Sequence, residues 1–211
     1  MKFHLLAVAV IFLATIAAAQ DIRVANLSSK YDLIAKQSNC KDDWRGVICD
    51  QTIHLFRKNA RKLLQSISFR GGDMPPIFGD FNFDGHEDIA ICDGTNGGYV
   101  TPSYRVYLYS PSRAKFVFSS SFTALSQGPA MGFFDVNKRN RTVTNSSREG
   151  CCYFWTRTYD MYRGEPRMIY ERIDDESSAE RIWAVITTKK LINGKWRTWQ
   201  KRERIPPIPT K

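Results

Sequence analysis

The 211 residues carry 31 Lys and Arg against 21 Asp and Glu, a formal net charge of +10, with 43% hydrophobic and 25% charged residues. That balance excludes an intrinsically disordered or low-complexity chain. The basic excess gathers in runs such as Lys138-Arg139-Asn140-Arg141 and Lys201-Arg202-Glu203-Arg204, which read first as solvated faces and second as surfaces for phosphate or carboxylate partners.

Residues 1–19 read as a secretory signal peptide. Lys2 and His4 lead into the apolar run Leu5 to Leu13, and Ala17-Ala18-Ala19 supplies small residues before Gln20. The apolar core is too short to span a bilayer, no cysteine follows the cleavage site as a lipoprotein would need, and no other segment is apolar enough to cross a membrane. The expected mature protein is therefore periplasmic or secreted, which makes nucleic acid a poor partner. Its domain is expected over residues 20–204, and 205–211 form a Pro-rich tail, Ile205-Pro206-Pro207-Ile208-Pro209. About 190 residues suit one domain with a substantial core.

In chain order, Tyr31 to Gln37, Ile53 to Lys58 and Lys62 to Phe69 are strand-length runs, with Asn59-Ala60-Arg61 closing a hairpin between the second and third. Cys40 and Cys49 flank a short loop and are expected to form a disulfide in an oxidising compartment. Cys92, Cys151 and Cys152 leave an odd count: either the adjacent pair bridges and Cys92 is a buried thiol, or Cys92 takes one of the two.

The most informative stretch is Asp80-Phe81-Asn82-Phe83-Asp84-Gly85-His86-Glu87-Asp88, which places oxygen ligands at positions 1, 3, 5 and 9. A hard cation such as Ca²⁺ takes six to eight oxygens, and alternate side chains on a tight loop converge on it. Asp80, Asn82, Asp84 and Asp88 are the expected side-chain ligands, with the His86 carbonyl as a further one and Gly85 permitting the turn. Position 12 is Ile91 rather than Glu, and the flanks lack a helical period, which excludes an EF-hand. The loop instead lies before a strand, Ile89-Ala90-Ile91-Cys92, like the calcium motif of integrin-type Phe-Gly/Gly-Ala-Pro repeats. It occurs once, which excludes a full integrin propeller.

Strand signals continue through Tyr104 to Tyr109, the turn Pro111 to Ala114, Lys115 to Phe118 and Tyr153 to Tyr159. Ile182 to Thr188 and Trp196 to Trp199 are joined through Asn193-Gly194, a strong hairpin signal. Helix evidence is thin, with at most a turn near Thr123 or Ser177. The fold class expected is all-β, a single-domain β-sandwich or propeller-like sheet stack with one calcium-binding loop.

No catalytic constellation is legible. His54 sits in a strand and His86 in the calcium loop, and neither a Gly-x-Ser-x-Gly nor a His-Glu-x-x-His pattern occurs. The acidic group Asp174, Asp175, Glu176 and Glu180 lies by a turn and reads as solvated. The chain is expected not to be an enzyme.

Phe78 to Gly85, the following Asp93-Gly94-Thr95-Asn96-Gly97-Gly98-Tyr99, the Tyr104-to-Lys115 strand-turn-strand and Ser147-Arg148-Glu149-Gly150-Cys151-Cys152, in that order, resemble a bacterial family. It comprises the periplasmic immunity proteins of bacteria-killing type IV secretion systems, related in fold to periplasmic inhibitors of invertebrate-type lysozyme. The resemblance covers roughly Cys40 to Asp175. It implies a β-rich domain, a structural Ca²⁺, and inhibition of a peptidoglycan-cleaving hydrolase by a loop inserted in its active-site cleft. The positions matching the Ser-Gly-x-Tyr-like inhibitory motif are Asn96, Gly97, Gly98 and Tyr99, with Asn in place of Ser. The residue types suit such a plug: a slim Gly-Gly backbone, an aromatic anchor, and donors on Tyr99 and Asn96. The alternative is an adhesive or envelope-binding module in which Ca²⁺ serves rigidity alone. The sequons at Asn26, Asn140 and Asn145 matter only in a eukaryotic secretory protein.

Overall fold

A computed structural model describes residues 20–24, 27–43, 46–177 and 182–205. The expected signal peptide and residues 206–211 of the tail lie outside these. The chain runs through three antiparallel meanders. The first comprises β1 (Gln20–Val24), β2 (Tyr31–Asp43), β3 (Gly46–Arg57) and β4 (Leu63–Gly72). The second comprises β5 (Ile77–Gly79), β6 (Asp88–Gly94), β7 (Ser103–Ser110) and β8 (Lys115–Ser119). A short helix, α1 (Ser120–Ala124), follows, capped by the Ser119 hydroxyl, which accepts from the Phe122 amide. The third sheet holds β9 (Asp135–Asn137), β10 (Thr142–Glu149), β11 (Tyr153–Tyr162), β12 (Glu165–Asp175), β13 (Trp183–Ile192) and β14 (Lys195–Arg204). In every sheet consecutive strands are neighbours, so each forms through local hairpins. The all-β expectation holds, and the sandwich is built from three antiparallel sheets.

Two cores lie on opposite faces of the middle sheet. Because side chains alternate along a strand, Ile89, Ile91, Tyr107 and Tyr109 face a first cluster with Leu33, Ile53, Leu55 and Ile67 of the first sheet. Ala90, Cys92, Tyr104 and Val106 face a second, with Phe81, Phe122, Phe134 and Val143. The middle sheet is thus apolar on both sides, which is why Ile89-Ala90-Ile91-Cys92 lacks polar alternation. Each fully buried Phe or Ile here contributes roughly 2–3 kcal/mol.

Two bridges form, Cys40–Cys49 between β2 and β3, and the vicinal Cys151–Cys152; Cys92 is a buried free thiol. The first of the two pairings left open by the sequence is therefore the one adopted. Cys40 lies where the β2–β3 register shifts between Ser38 and Lys41, so its bridge staples an irregular hairpin end. At the other end of the chain Asn193 and Gly194 both take positive φ, 50° and 73°, as a tight hairpin turn requires.

Candidate functional site

The calcium-type loop joins β5 to β6 and is wound by its own acidic side chains. Asp80 accepts from the backbone amides of Asp84 (3.0 Å) and Gly85 (2.9 Å). Asn82 Oδ1 accepts from the Asp84 amide at 3.1 Å, and Asp84 Oδ1 from the His86 amide at 2.8 Å. Gly85 turns the chain at φ +86° with open space where a Cβ would stand, so its role is conformational. Phe81 and Phe83 point the other way, into the second core. The alternation of oxygen donors with phenylalanines thus separates a polar inside from an apolar anchor.

Asp88 opens β6 and is fully buried. Its Oδ2 accepts from the Phe81 amide and its Oδ1 from the Tyr109 amide, both at 2.9 Å, which ties the loop to β7. Burial pushes its carboxyl pKa up to about 7, against the pull of those two hydrogen bonds, and the charges of Asp84 and Asp80 raise it further. The cations nearby serve the loop's rim: Arg141 donates to the Phe83 carbonyl at 2.7 Å and Lys30 to the Gly85 carbonyl at 3.3 Å. Among the described residues three or more His, Cys, Asp or Glu side chains do not converge into a preformed metal cluster. The donor set here is mixed, including Asn82 and a backbone carbonyl. Each loop carboxylate oxygen that accepts one amide keeps a further lone pair, and negative charge crowds the Asp88 end. Oxygen donors with mutual repulsion fit a hard divalent cation. The His86 ring lies tilted beside that of Tyr109, centroids 5.5 Å apart and planes at 42°.

Beyond β6 the Asp93-to-Ser103 loop is closed at its base. Ser103 Oγ donates to Asp93 Oδ1 at 2.5 Å and accepts from the Asn96 amide at 3.1 Å. Gln127 donates to Asp93 Oδ2 at 2.8 Å. The loop then lies on the segment after α1: Gly98 N donates to the Ala130 carbonyl (2.7 Å) and Gly128 N to the Asn96 carbonyl (3.0 Å). A Cβ on Gly98 would stand 2.5 Å from the Pro129 carbonyl oxygen, and one on Gly97 2.9 Å from that of Ala130. The glycines are therefore required by packing against this chain's own backbone, a reason the residue types alone did not disclose.

Tyr99 and Val100 crest the loop, both in left-handed conformation at φ 53° and 61°, a costly arrangement for bulky residues. Tyr99 is 56% exposed, and Asn96 is also exposed. The Tyr99 hydroxyl donates to the Gly150 carbonyl at 2.6 Å, in the turn that carries Cys151–Cys152. Arg148 lies over the Tyr99 ring at 5.8 Å and over Phe154 at 5.4 Å. The structure thus unites Asn96, Gly97, Gly98 and Tyr99 with a second loop some 50 residues away. It keeps them apart from the calcium-type loop, joined through β6. Arg148 was legible only as part of a sequence segment, since no local pattern ties it to Tyr99.

The remaining polar candidates have structural partners. His54 Nδ1 shares a hydrogen bond with Ser66 at 2.8 Å. Asp174 pairs with Arg172 at 2.9 Å, and Asp175 accepts from the Ser177 amide; Glu180 lies outside the described residues. The buried Glu171 is pushed up by burial, but hydrogen bonds from Lys189 and Arg157, each 2.7 Å away, outweigh this and hold it ionised.

A solved structure of a Xanthomonas type IV secretion system related protein matches the fold with a TM-score of 0.67. Identity is 20%, and the match covers 86% of this chain and 92% of that one. No protein-family model and no curated protein matches the chain significantly. With that coverage and TM-score the overall fold is shared with that protein rather than peculiar to this sequence.

Proposed function

We propose that this protein is an exported inhibitor of a peptidoglycan-cleaving, lysozyme-like hydrolase, acting as the immunity partner of a secreted antibacterial effector. The observation that carries the reading is Tyr99, a large exposed aromatic held in left-handed conformation on a loop whose base and flank are hydrogen-bonded throughout. A rigid aromatic on a preorganised crest loses little entropy on binding. A glycosidase cleft with two carboxylates about 5–9.5 Å apart has room for such a crest. Ca²⁺ in the Asp80-to-Asp88 loop stiffens the start of β6, from which the Tyr99 loop springs. The type IV secretion connection of the structural neighbour supports an immunity role, and the Cys40–Cys49 bridge supports a periplasmic or secreted setting. Among the described residues no helix is long and apolar enough to cross a membrane. The protein works by binding, without catalysis of its own and without nucleic acid.

The test is turbidity clearance of purified peptidoglycan by a panel of lysozyme-type hydrolases, with and without mature protein. Wild type should block at least one hydrolase, and Tyr99→Ala should weaken inhibition roughly 30-fold, the scale of a hot-spot residue. Wild type that protects against none of them, or Tyr99→Ala that protects equally, refutes the inhibitor reading or its loop.

One observation favours a second reading, an adhesive or envelope-binding module. Strand β14 is exposed along all its 10 residues and displays Trp196 and Trp199 among Lys195, Arg197 and Lys201. Sedimentation of the protein with peptidoglycan sacculi, abolished by Trp196→Ala and Trp199→Ala but not by Tyr99→Ala, would place this reading first.

A further inference from the structure

Resting on the inhibitor reading above, we infer that Arg148, rather than the Tyr99 hydroxyl, is the group that engages a carboxylate of the target's cleft.

A phenol has one proton to donate. In Tyr99 that proton is spent on the Gly150 carbonyl at 2.6 Å, within its own molecule. The hydroxyl can still accept a hydrogen bond, but a carboxylate offers none when ionised. Tyr99 therefore presents its ring to the partner, and a charge-bearing donor must come from elsewhere on the same crest.

Arg148 meets that need. It is exposed and stands at the end of β10, opposite Phe154 in the β10–β11 register. Its Nε donates to the same Gly150 carbonyl at 3.2 Å, and one terminal nitrogen makes a long contact with the Cys151 carbonyl at 3.5 Å. Two of five N–H donors are thus engaged, and the rest of the planar fork stays available. Every arginine of the neighbouring strands β11 and β12 pairs with a carboxylate: Arg157 with Glu171, Arg167 with Asp160, Arg172 with Asp174. Arg148 has no such partner among the described residues. A guanidinium left without its counter-charge beside an exposed aromatic is complementary to an acidic cleft.

The shared acceptor also fixes the spacing of the two groups. The Gly150 carbonyl receives both Tyr99 and Arg148, and its turn is clamped by the Cys151–Cys152 bridge and by the Glu176 amide donating to the Cys152 carbonyl at 2.7 Å. Ring and guanidinium are thereby presented as one preorganised pair, from loops distant in sequence.

Inhibition constants for wild type, Tyr99→Phe, Arg148→Gln, Arg148→Lys and Arg148→Ala distinguish the alternatives, using a hydrolase that wild type inhibits and Tyr99→Ala does not. Tyr99→Phe should stay within about 10-fold of wild type, the loss of one neutral hydrogen bond. Arg148→Ala should lose roughly 30-fold or more. Arg148→Gln keeps an amide able to reach the Gly150 carbonyl but lacks charge. It should therefore inhibit as weakly as Arg148→Ala, while Arg148→Lys recovers part of the loss and the steep salt dependence of wild type. Circular dichroism and melting curves establish that each variant is folded. If Arg148→Gln or Arg148→Ala inhibits like wild type, or Tyr99→Phe loses as much as Tyr99→Ala, the assignment to Arg148 fails while the inhibitor reading stands. If wild type inhibits nothing, it is the reading itself that fails.

Discussion

Replacing Asp88 by Asn should remove a pH dependence of stability that wild type shows when stripped of divalent ions. The Asp88 carboxyl has its pKa raised from 3.8 to about 7, chiefly by burial. A carboxyl with a raised folded pKa binds its proton more tightly in the native state. The contribution of Asp88 to stability is then fully present below about pH 4 and is lost as pH rises toward 7. Three pKa units correspond to about 4 kcal/mol over the whole window, of which roughly 2 kcal/mol falls between pH 5 and pH 7. For a chain of this size that is a fall of about 4–8 °C in melting temperature. Excess Ca²⁺ should reverse the loss, because the ion replaces the proton as the partner of the crowded carboxylates; at a hundred times its Kd it adds about 2.7 kcal/mol. Asp88→Asn lowers absolute stability, since an amide NH₂ meets one of the two backbone donors now satisfied by Asp88. The slope is therefore the quantity to read. Melting curves in chelator and in Ca²⁺, from pH 5 to pH 7.5, should show a sloping wild type that Ca²⁺ flattens and a flat variant that Ca²⁺ does not stabilise. Equal slopes for the two proteins in chelator would refute the assignment to Asp88, and no response of wild type to Ca²⁺ would remove the metal from the loop.

Replacing Cys40 and Cys49 together by Ser should cost about 2–3 kcal/mol in a urea titration, the loop-closure entropy of a bridge spanning nine residues; no change in midpoint would mean that the β2–β3 hairpin holds without it. Cys92, whose thiol is pushed up by burial, should resist alkylation in the native protein and react only on unfolding, as mass spectrometry after a short iodoacetamide pulse can show. Charge reversal at Lys201 and Arg202 on the exposed β14 should lower the association rate with an acidic partner and weaken its salt dependence, with little change in dissociation; an altered dissociation rate in surface binding kinetics would instead put β14 inside the interface.

Local chemistry settled much of this protein before any tertiary contact. The Asp80-to-Asp88 loop follows from donor spacing around Gly85, and the β13–β14 hairpin from Asn193-Gly194, because turns are fixed by the φ angles that single residues tolerate. The strands at Tyr31, Ile53, Tyr104 and Tyr153 were legible from β-branched and aromatic runs. Strands β1, β5, β9, β10 and β12 were missed: β5 and β9 are three residues long, and Asn145-Ser146-Ser147-Arg148-Glu149 and Glu165-Pro166-Arg167 carry polar residues and a proline, so pairing with sheet neighbours is what defines them. Pairing between distant segments likewise required the fold. It decided for the vicinal Cys151–Cys152 bridge over a bond to Cys92, because Cys92 is buried in the second core between β6 and its neighbours. It gave Gly97 and Gly98 their reason, the close backbone of Pro129 and Ala130. And it placed Arg148 over Tyr99, since a contact across 49 positions leaves no periodicity in the chain and arises only when two sheets and two loops have taken their places.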